Sequence, residues 1–378
     1  MMAKLFETYE IGSLAKHSWR LKGFSGAKLT EADIAEAETW GKRLGLDYKP
    51  LIKLLKGDAP DKRQQVVNWS ALYAVKMFEK LGLDYVYTGE QWREEMYAHV
   101  AKNVEGFEFT GWIKSFDYRY YRKAAVVGEV KYRDPYYIDE YEYIKPHAEA
   151  ELKVPITGPY TMTDWSFNEY YWRKLGKVKS LKERKSRARR ELMLDVVDNA
   201  LRPEFEKLIA AGTKWIQIDE PALTTQPTAE EMSLFVEVWN RLVAGLDCRF
   251  SLHNCYSDYG LLARYAPDLK NCDQLSLEFA NRDTKAPGRK RLAYDLIKSF
   301  EDYGYEGAYA PGFVHVHTDE IASPEVVRDR ILCVADIAGA ERVYVAPDCG
   351  LRTRTWEVAY EKLENLVKGA DLAREEVS

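Results

Sequence analysis

RFSLHNC at residues 249–255 is a short apolar run that stops on a histidine and a cysteine. Two later runs stop on residues of the same kind. QLSLE at 274–278 ends on Glu278, and RVYVAPDC at 342–349 ends on Cys349. An imidazole, two thiolates and a carboxylate form a zinc donor set, and the carboxylate points to a catalytic rather than a structural ion. Cys255 and Glu278 are 23 residues apart, and Glu278 and Cys349 are 71 apart. No finger or ribbon closes over such gaps. His253, Cys255, Glu278 and Cys349 are therefore expected on separate strands of one large scaffold.

Working outward, strand-like segments alternate with helical ones along the whole chain, which favours a parallel α/β fold. Eight core strands are expected: YEIGS (9–13), LDYVYTGE (83–90), VPITGP (154–159), KWIQIDE (214–220), the three runs above, and GFVHVH (312–317). Helical patterns fill the gaps, among them LTEADIAEAETWGKRLG, RARRELMLDVVDNALRPEFEKLIAAG and SPEVVRDRILCVADIAG. Thr30 and Ser323-Pro324 read as helix starts. Eight such units predict a single (β/α)8 barrel over residues 1–378, with an open doubly wound sheet as the runner-up. The barrel is preferred because polar residues end nearly every strand. Ser13, Glu90, Asp219, His253, Cys255, Glu278, His317 and Cys349 would converge on one mouth. Residues 105–150 fall outside the alternation and read as an insertion after strand two, an antiparallel hairpin that walls or lids that mouth.

Composition bounds the rest. The chain has 378 residues, 46% of them hydrophobic, enough for a large core. A net charge of −5 gives no general pull toward nucleic acid or an anionic membrane. No run is long enough to span a bilayer, and the N-terminus lacks a signal-peptide pattern, so a cytoplasmic location is expected. Five cysteines suit reduced thiols better than a disulfide framework. Cys248, Cys272 and Cys333 read as small buried hydrophobes. Tyrosine is abundant, with 26 in all, many of them in 118–143.

Several of these segments, taken together, resemble a known family. ITGPYTMTDWSF, IQIDEPAL, HNCYSD, LSLEFANRD, VHVHTDE and APDCGLRTR, with IGS at 11–13 and GE at 89–90, are similar in order and spacing to the catalytic half of cobalamin-independent methionine synthase. The resemblance spans about residues 9–356 and implies a (β/α)8 barrel related to uroporphyrinogen decarboxylase. It covers the catalytic barrel only, so the short core form is expected. It also implies zinc on His253, Cys255, Glu278 and Cys349, and methyl transfer to the sulfur of L-homocysteine. The same resemblance assigns Asp219 and Glu90 to the substrate ammonium and Ile11, Gly12 and Ser13 to its carboxylate. His317 is implied as proton donor, and Trp165, with Asp164 beside it, as the platform for the methyl donor.

The chemistry is consistent with those roles. Two thiolates and a carboxylate leave a zinc ion with a net negative first shell, a poor acid for water but able to lower the pKa of a substrate thiol. Glu278, the hardest ligand, is the one expected to loosen. Each residue also has a plainer reading. Asp219 and Glu220 could cap the turn before Pro221, His315 competes with His317, and Trp165 could simply be core. The donor is either a methylated reduced folate or pterin, favoured by Trp165 and His317, or a methylcobalamin-carrying corrinoid protein, favoured by a single open barrel. Residues 173–190 hold ten Lys or Arg against one Glu. They read as a solvated helix face or as a docking patch for an anionic donor. Two further functions remain open: methylation of another thiol such as coenzyme M, and a non-catalytic zinc- or corrinoid-binding module. A decarboxylase of the related type would leave both thiolates idle.

Overall fold

The computed structural model describes residues 4–114, 120–225, 228–256 and 258–377. Its strands are Tyr85–Val86 (β1), Glu105–Lys114 (β2), Tyr120–Lys131 (β3), Glu151–Leu152 (β4), Val154–Thr157 (β5), Phe167–Asn168 (β6), Trp215–Asp219 (β7), Arg249–His253 (β8), Gln274–Ser276 (β9) and Ala308–Ala310 (β10). The protein has an α/β fold built around parallel pairing. One sheet has the order β10-β9-β8-β7-β5. The pairing continues through single parallel bridges, Tyr309 to Val343, Val345 to Thr8, and Tyr9 to Tyr85. From there β1 pairs in parallel with β4, whose residues lead directly into β5. The strands of the five-stranded sheet are almost wholly buried, β5 and β7 along their full length, as expected where helices cover a parallel sheet.

Helices fill the intervals that the apolar periodicity predicted. Thr30 opens Glu31–Leu44 with a reciprocal capping box to Asp33, and Ser323 caps Pro324–Ala338 through the Val326 N–H; both satisfy orphan amides of a first turn. The stretch read as one helix from 187 to 212 is broken. A π-helical turn, Val197–Leu201, separates Leu181–Val196 from Arg202–Ala210. Pro203 explains the break, because it has no N–H to continue the ladder and is tolerated only at a helix start.

The strand boundaries need one correction. GFVHVH at 312–317 is not a regular strand; the corresponding strand is β10, and 312–317 touches its neighbour only at a Val314–Pro347 bridge. The cause is local. Gly312 turns the chain at φ +73°, and any Cβ there would lie 2.0 Å from Asp348 Oδ1. The ladder therefore stops before the histidines. The first and last predicted strands are likewise reduced to bridges at Thr8, Tyr9, Val343 and Val345.

In the segment read as an insertion, β2 and β3 pair antiparallel, and β6, from further along the chain, adds to β3 in parallel. The expected hairpin includes residues 115–119, which lie outside the described residues. Among the described residues no helix is long and apolar enough to cross a membrane.

Candidate metal centre and substrate cavity

Three of the four predicted ligands converge. Donor atoms of His253, Cys255 and Cys349 all lie within 4.8 Å of one another, with the two sulfurs 3.6 Å apart. His253 ends β8, and its Nδ1 lies 3.2 Å from Ser276 Oγ, which fixes the ring. Its Nε2 is buried and has no hydrogen-bond partner. A buried nitrogen left in that state is costly unless something else satisfies it. The Cys255 thiol is held well above its ordinary value by its contact with Cys349, then by burial and by the charges of Cys349, Glu278 and Asp219. Burial opposes a charged His253 ring, yet the Cys349 sulfur raises its pKa. A divalent cation among these atoms would relieve each of these tensions, so the donor set fits zinc.

The fourth predicted ligand, Glu278, stands outside this cluster. It is fully buried, but its carboxylate is occupied. Oε2 accepts from the Tyr256 N–H at 3.0 Å, and Oε1 accepts from the Asn281 amide and lies 2.8 Å from His317 Nε2. The local cause is Asp348, whose carboxylate accepts from the N–H groups of Phe279, Ala280 and Asn281 at 3.1, 2.8 and 2.8 Å. It holds the turn after Glu278 in one conformation. Tyr256 supplies its N–H from a left-handed backbone at φ +60°, a strained state that clusters at functional sites.

A cavity of about 360 Å³ opens beside the three ligands. Ile11, Gly12, Ser13, Glu90, Asp219 and Trp165 all line it, as do His253, Cys255 and Cys349. The loop 11–14 is tied to both flanking segments, through Leu351 N to Ser13 O at 2.7 Å and Leu14 N to Gly89 O at 3.0 Å. Gly350 is needed for this approach, since a Cβ on it would lie 2.3 Å from Ser13 Oγ. Glu90 sits at φ +55° directly after Gly89 at φ +61°, a second strained non-glycine position on the wall. Burial pushes the Asp219 carboxyl up to about 7, against the opposing effects of His253 and Gln217.

The plainer reading of a turn cap suits Glu220 instead. Its carboxylate accepts from the N–H groups of Tyr160 and Thr161 at 2.9 and 2.6 Å and so fixes the start of Pro159–Asp164.

Three predicted residues do not line the cavity. Glu278 is one. His317 is the second; its Nδ1 lies 2.7 Å from the Tyr256 hydroxyl, and Tyr256 itself is on the wall. Asp164 is the third and pairs with Arg189 at 3.1 Å. His315, the competitor of His317, is buried, and burial pushes it down to about 4. Three residues of the basic stretch pair with carboxylates on the neighbouring helix Ala229–Val243: Arg189 with Glu231, Arg190 with Glu237, and Lys182 with Glu230.

Sequence reasoning missed several wall residues: Tyr121, Tyr256, Glu95, Met96 and Arg352. Tyr121 comes from the insertion and stacks on Trp165 at 4.7 Å and 27°. Tyr256 and Arg352 each lie within three residues of a predicted ligand, a proximity that could have flagged them.

Residues 51–372 match the family model for the catalytic domain of cobalamin-independent synthase. The methionine synthase of Thermococcus kodakarensis is 38% identical over 316 residues, 83% of this chain and 85% of that one. That of Thermoplasma acidophilum is 39% identical over 304 residues, 78% and 85% of the two chains. Among solved structures, a B12-independent methionine synthase from Shewanella sp. W3-18-1, in complex with selenomethionine, superposes with a TM-score of 0.74 at 22% identity over 99% of each chain. These matches make the chain a member of the cobalamin-independent methionine synthase family.

Proposed function

We propose that this chain is a zinc-dependent methyltransferase that alkylates the sulfur of L-homocysteine to give L-methionine, in one (β/α)8 barrel. The observation that carries the proposal is the convergence of His253, Cys255 and Cys349 on a cavity whose other wall presents Glu90 and Asp219. The ring of parallel pairings described above supports the barrel, and the ligands then sit at strand ends, where barrel active sites are built.

His253, Cys255 and Cys349 would hold the zinc, which would lower the pKa of a substrate thiol so that a nucleophile exists near neutral pH. The chain's own groups do the rest. Glu90 and Asp219 receive the ammonium, and their burial strengthens that attraction. Backbone N–H groups of the 11–13 loop and the Ser13 hydroxyl receive the carboxylate. This grip orients the sulfur toward the cavity, where position alone contributes much of the rate. Trp165 and Tyr121 offer a flat aromatic face to the donor. His317 holds a proton at Nδ1 or Nε2, and the Tyr256 hydroxyl carries it to the wall. Glu278 would serve as the fourth zinc ligand if it gave up its His317 contact, which makes it the member of the set expected to move.

The Trp165–Tyr121 stack favours a methylated reduced folate or pterin as donor. A methylcobalamin-bearing corrinoid protein is the second reading. Zinc-loaded protein with L-homocysteine, assayed separately with 5-methyltetrahydrofolate and with methylcobalamin, tests both. Methionine from at least one donor is expected. None from either, with zinc bound, contradicts the function. Coenzyme M as acceptor is disfavoured by Glu90 and Asp219, because it carries no ammonium for them.

A further inference from the structure

Beneath the cavity lies a buried polar network that the mechanism above does not use. Lys153 is fully buried. Its Nζ donates to Ile11 O at 2.9 Å and to Gln217 Oε1 at 2.6 Å, and it sits 4.7 Å from the centre of the Tyr9 ring. Gln217 is also fully buried. Its Nε2 donates to Ile11 O at 2.8 Å and to Asp219 Oδ1 at 2.7 Å.

The chemistry of the four partners fixes every orientation. A lysine can only donate, so Gln217 must turn its amide oxygen toward Lys153. Its amide nitrogen then faces Asp219 and Ile11. Asp219 Oδ1 is thereby held as an acceptor, which favours the ionised carboxylate. The Ile11 carbonyl accepts twice from below. In a planar trans peptide the next N–H points the opposite way, so the Gly12 N–H is directed away from the network, and Gly12 lines the cavity. One network thus sets an anion for an ammonium group and a donor for a carboxylate group.

Resting on the amino-acid thiol reading above, we propose that Lys153 and Gln217 are positioning residues that make the cavity selective for a zwitterionic thiol. Neither side chain lines the cavity, so both act through Asp219 and Ile11. Burying a lysine here has a cost, since burial pushes its pKa down to about 8. An apolar residue would fill the same space without that cost.

The test compares two probes on zinc-loaded protein by titration calorimetry: L-homocysteine, and propane-1-thiol, which carries the sulfur without either charge. Lys153→Met and Gln217→Met are the variants, each checked for a cooperative thermal transition. The expected result is a loss of homocysteine affinity of about tenfold or more, with propanethiol within about threefold of wild type. Equal losses for both probes, or an unchanged preference in a folded variant, overturn the proposal. If Lys153→Met does not fold, Gln217→Met, which keeps the pocket's charge, decides it. A wild-type protein that binds both probes alike overturns the amino-acid substrate itself, so the two failures are distinguishable.

Discussion

His317 Nε2 lies 2.8 Å from Glu278 Oε1, so the expected fourth zinc ligand and the expected proton donor are partners of each other. Neither lines the cavity, yet both reach it through Tyr256, which takes the Glu278 carboxylate at its N–H and meets His317 at its hydroxyl. The proposed metal shell and the proposed proton path would therefore be joined at one strained residue, Tyr256.

Replacing His317 separates the two donors. A pterin leaves as an amine and needs a proton; a corrinoid does not. His317→Ala should lower turnover with 5-methyltetrahydrofolate by about 10²–10⁴ while leaving methylcobalamin turnover within about tenfold. Zinc content should be unchanged. Equal losses with both donors would remove His317 from proton transfer and leave it a support for Glu278.

The sulfur pair would be the core of the proposed metal site. Cys349→Ser leaves one thiolate, and zinc retained after dialysis against a chelator should fall by more than about tenfold. Metal analysis by mass spectrometry reads this directly. Full retention would mean that the ion is held elsewhere.

Trp165 and Tyr121 are stacked on the wall of the cavity. Trp165→Ala should raise the KM of a pterin donor by about tenfold and leave the homocysteine KM within about twofold. A change confined to homocysteine would reassign this wall.

Glu10 gives a stability test independent of catalysis. Burial raises its carboxyl from 4.5 to about 8, against the opposing charge of Lys153. Between those values the folded protein binds a proton that the unfolded chain has released, so stability falls as pH rises from about 4.5 to 8. Lys153 acts at the other end: burial lowers it from 10.5 to about 8, and stability recovers as pH rises through that window. Glu10→Gln should flatten the decline below pH 8 in denaturant titrations. A pH slope identical to wild type would contradict this.

The ligands were legible because each closes an apolar run, and strand ends are where a parallel fold gathers chemistry. His253, Cys255 and Cys349 follow that rule. Glu278 follows it in sequence but is drawn aside by Asp348, whose role depends on three backbone N–H groups that no linear pattern reveals. Strand seven was misread for a related reason. VHVH alternates like a strand, but the Pro311-Gly312 turn ahead of it had already ended the ladder at Ala310. The walls were hardest to see. Tyr121 is one of 26 tyrosines and gains meaning only when the insertion folds back onto Trp165. The basic stretch read as a solvated face or a docking patch because the counter-charges of Lys182, Arg189 and Arg190, namely Glu230, Glu231 and Glu237, lie more than forty residues further along the chain.

X-ray absorption at the zinc edge, with and without L-homocysteine, tests the central claim most directly. The account predicts two sulfur neighbours in the resting protein, from Cys255 and Cys349, and a third when the thiol is added. A sulfur count that stays the same on saturation with homocysteine would contradict it.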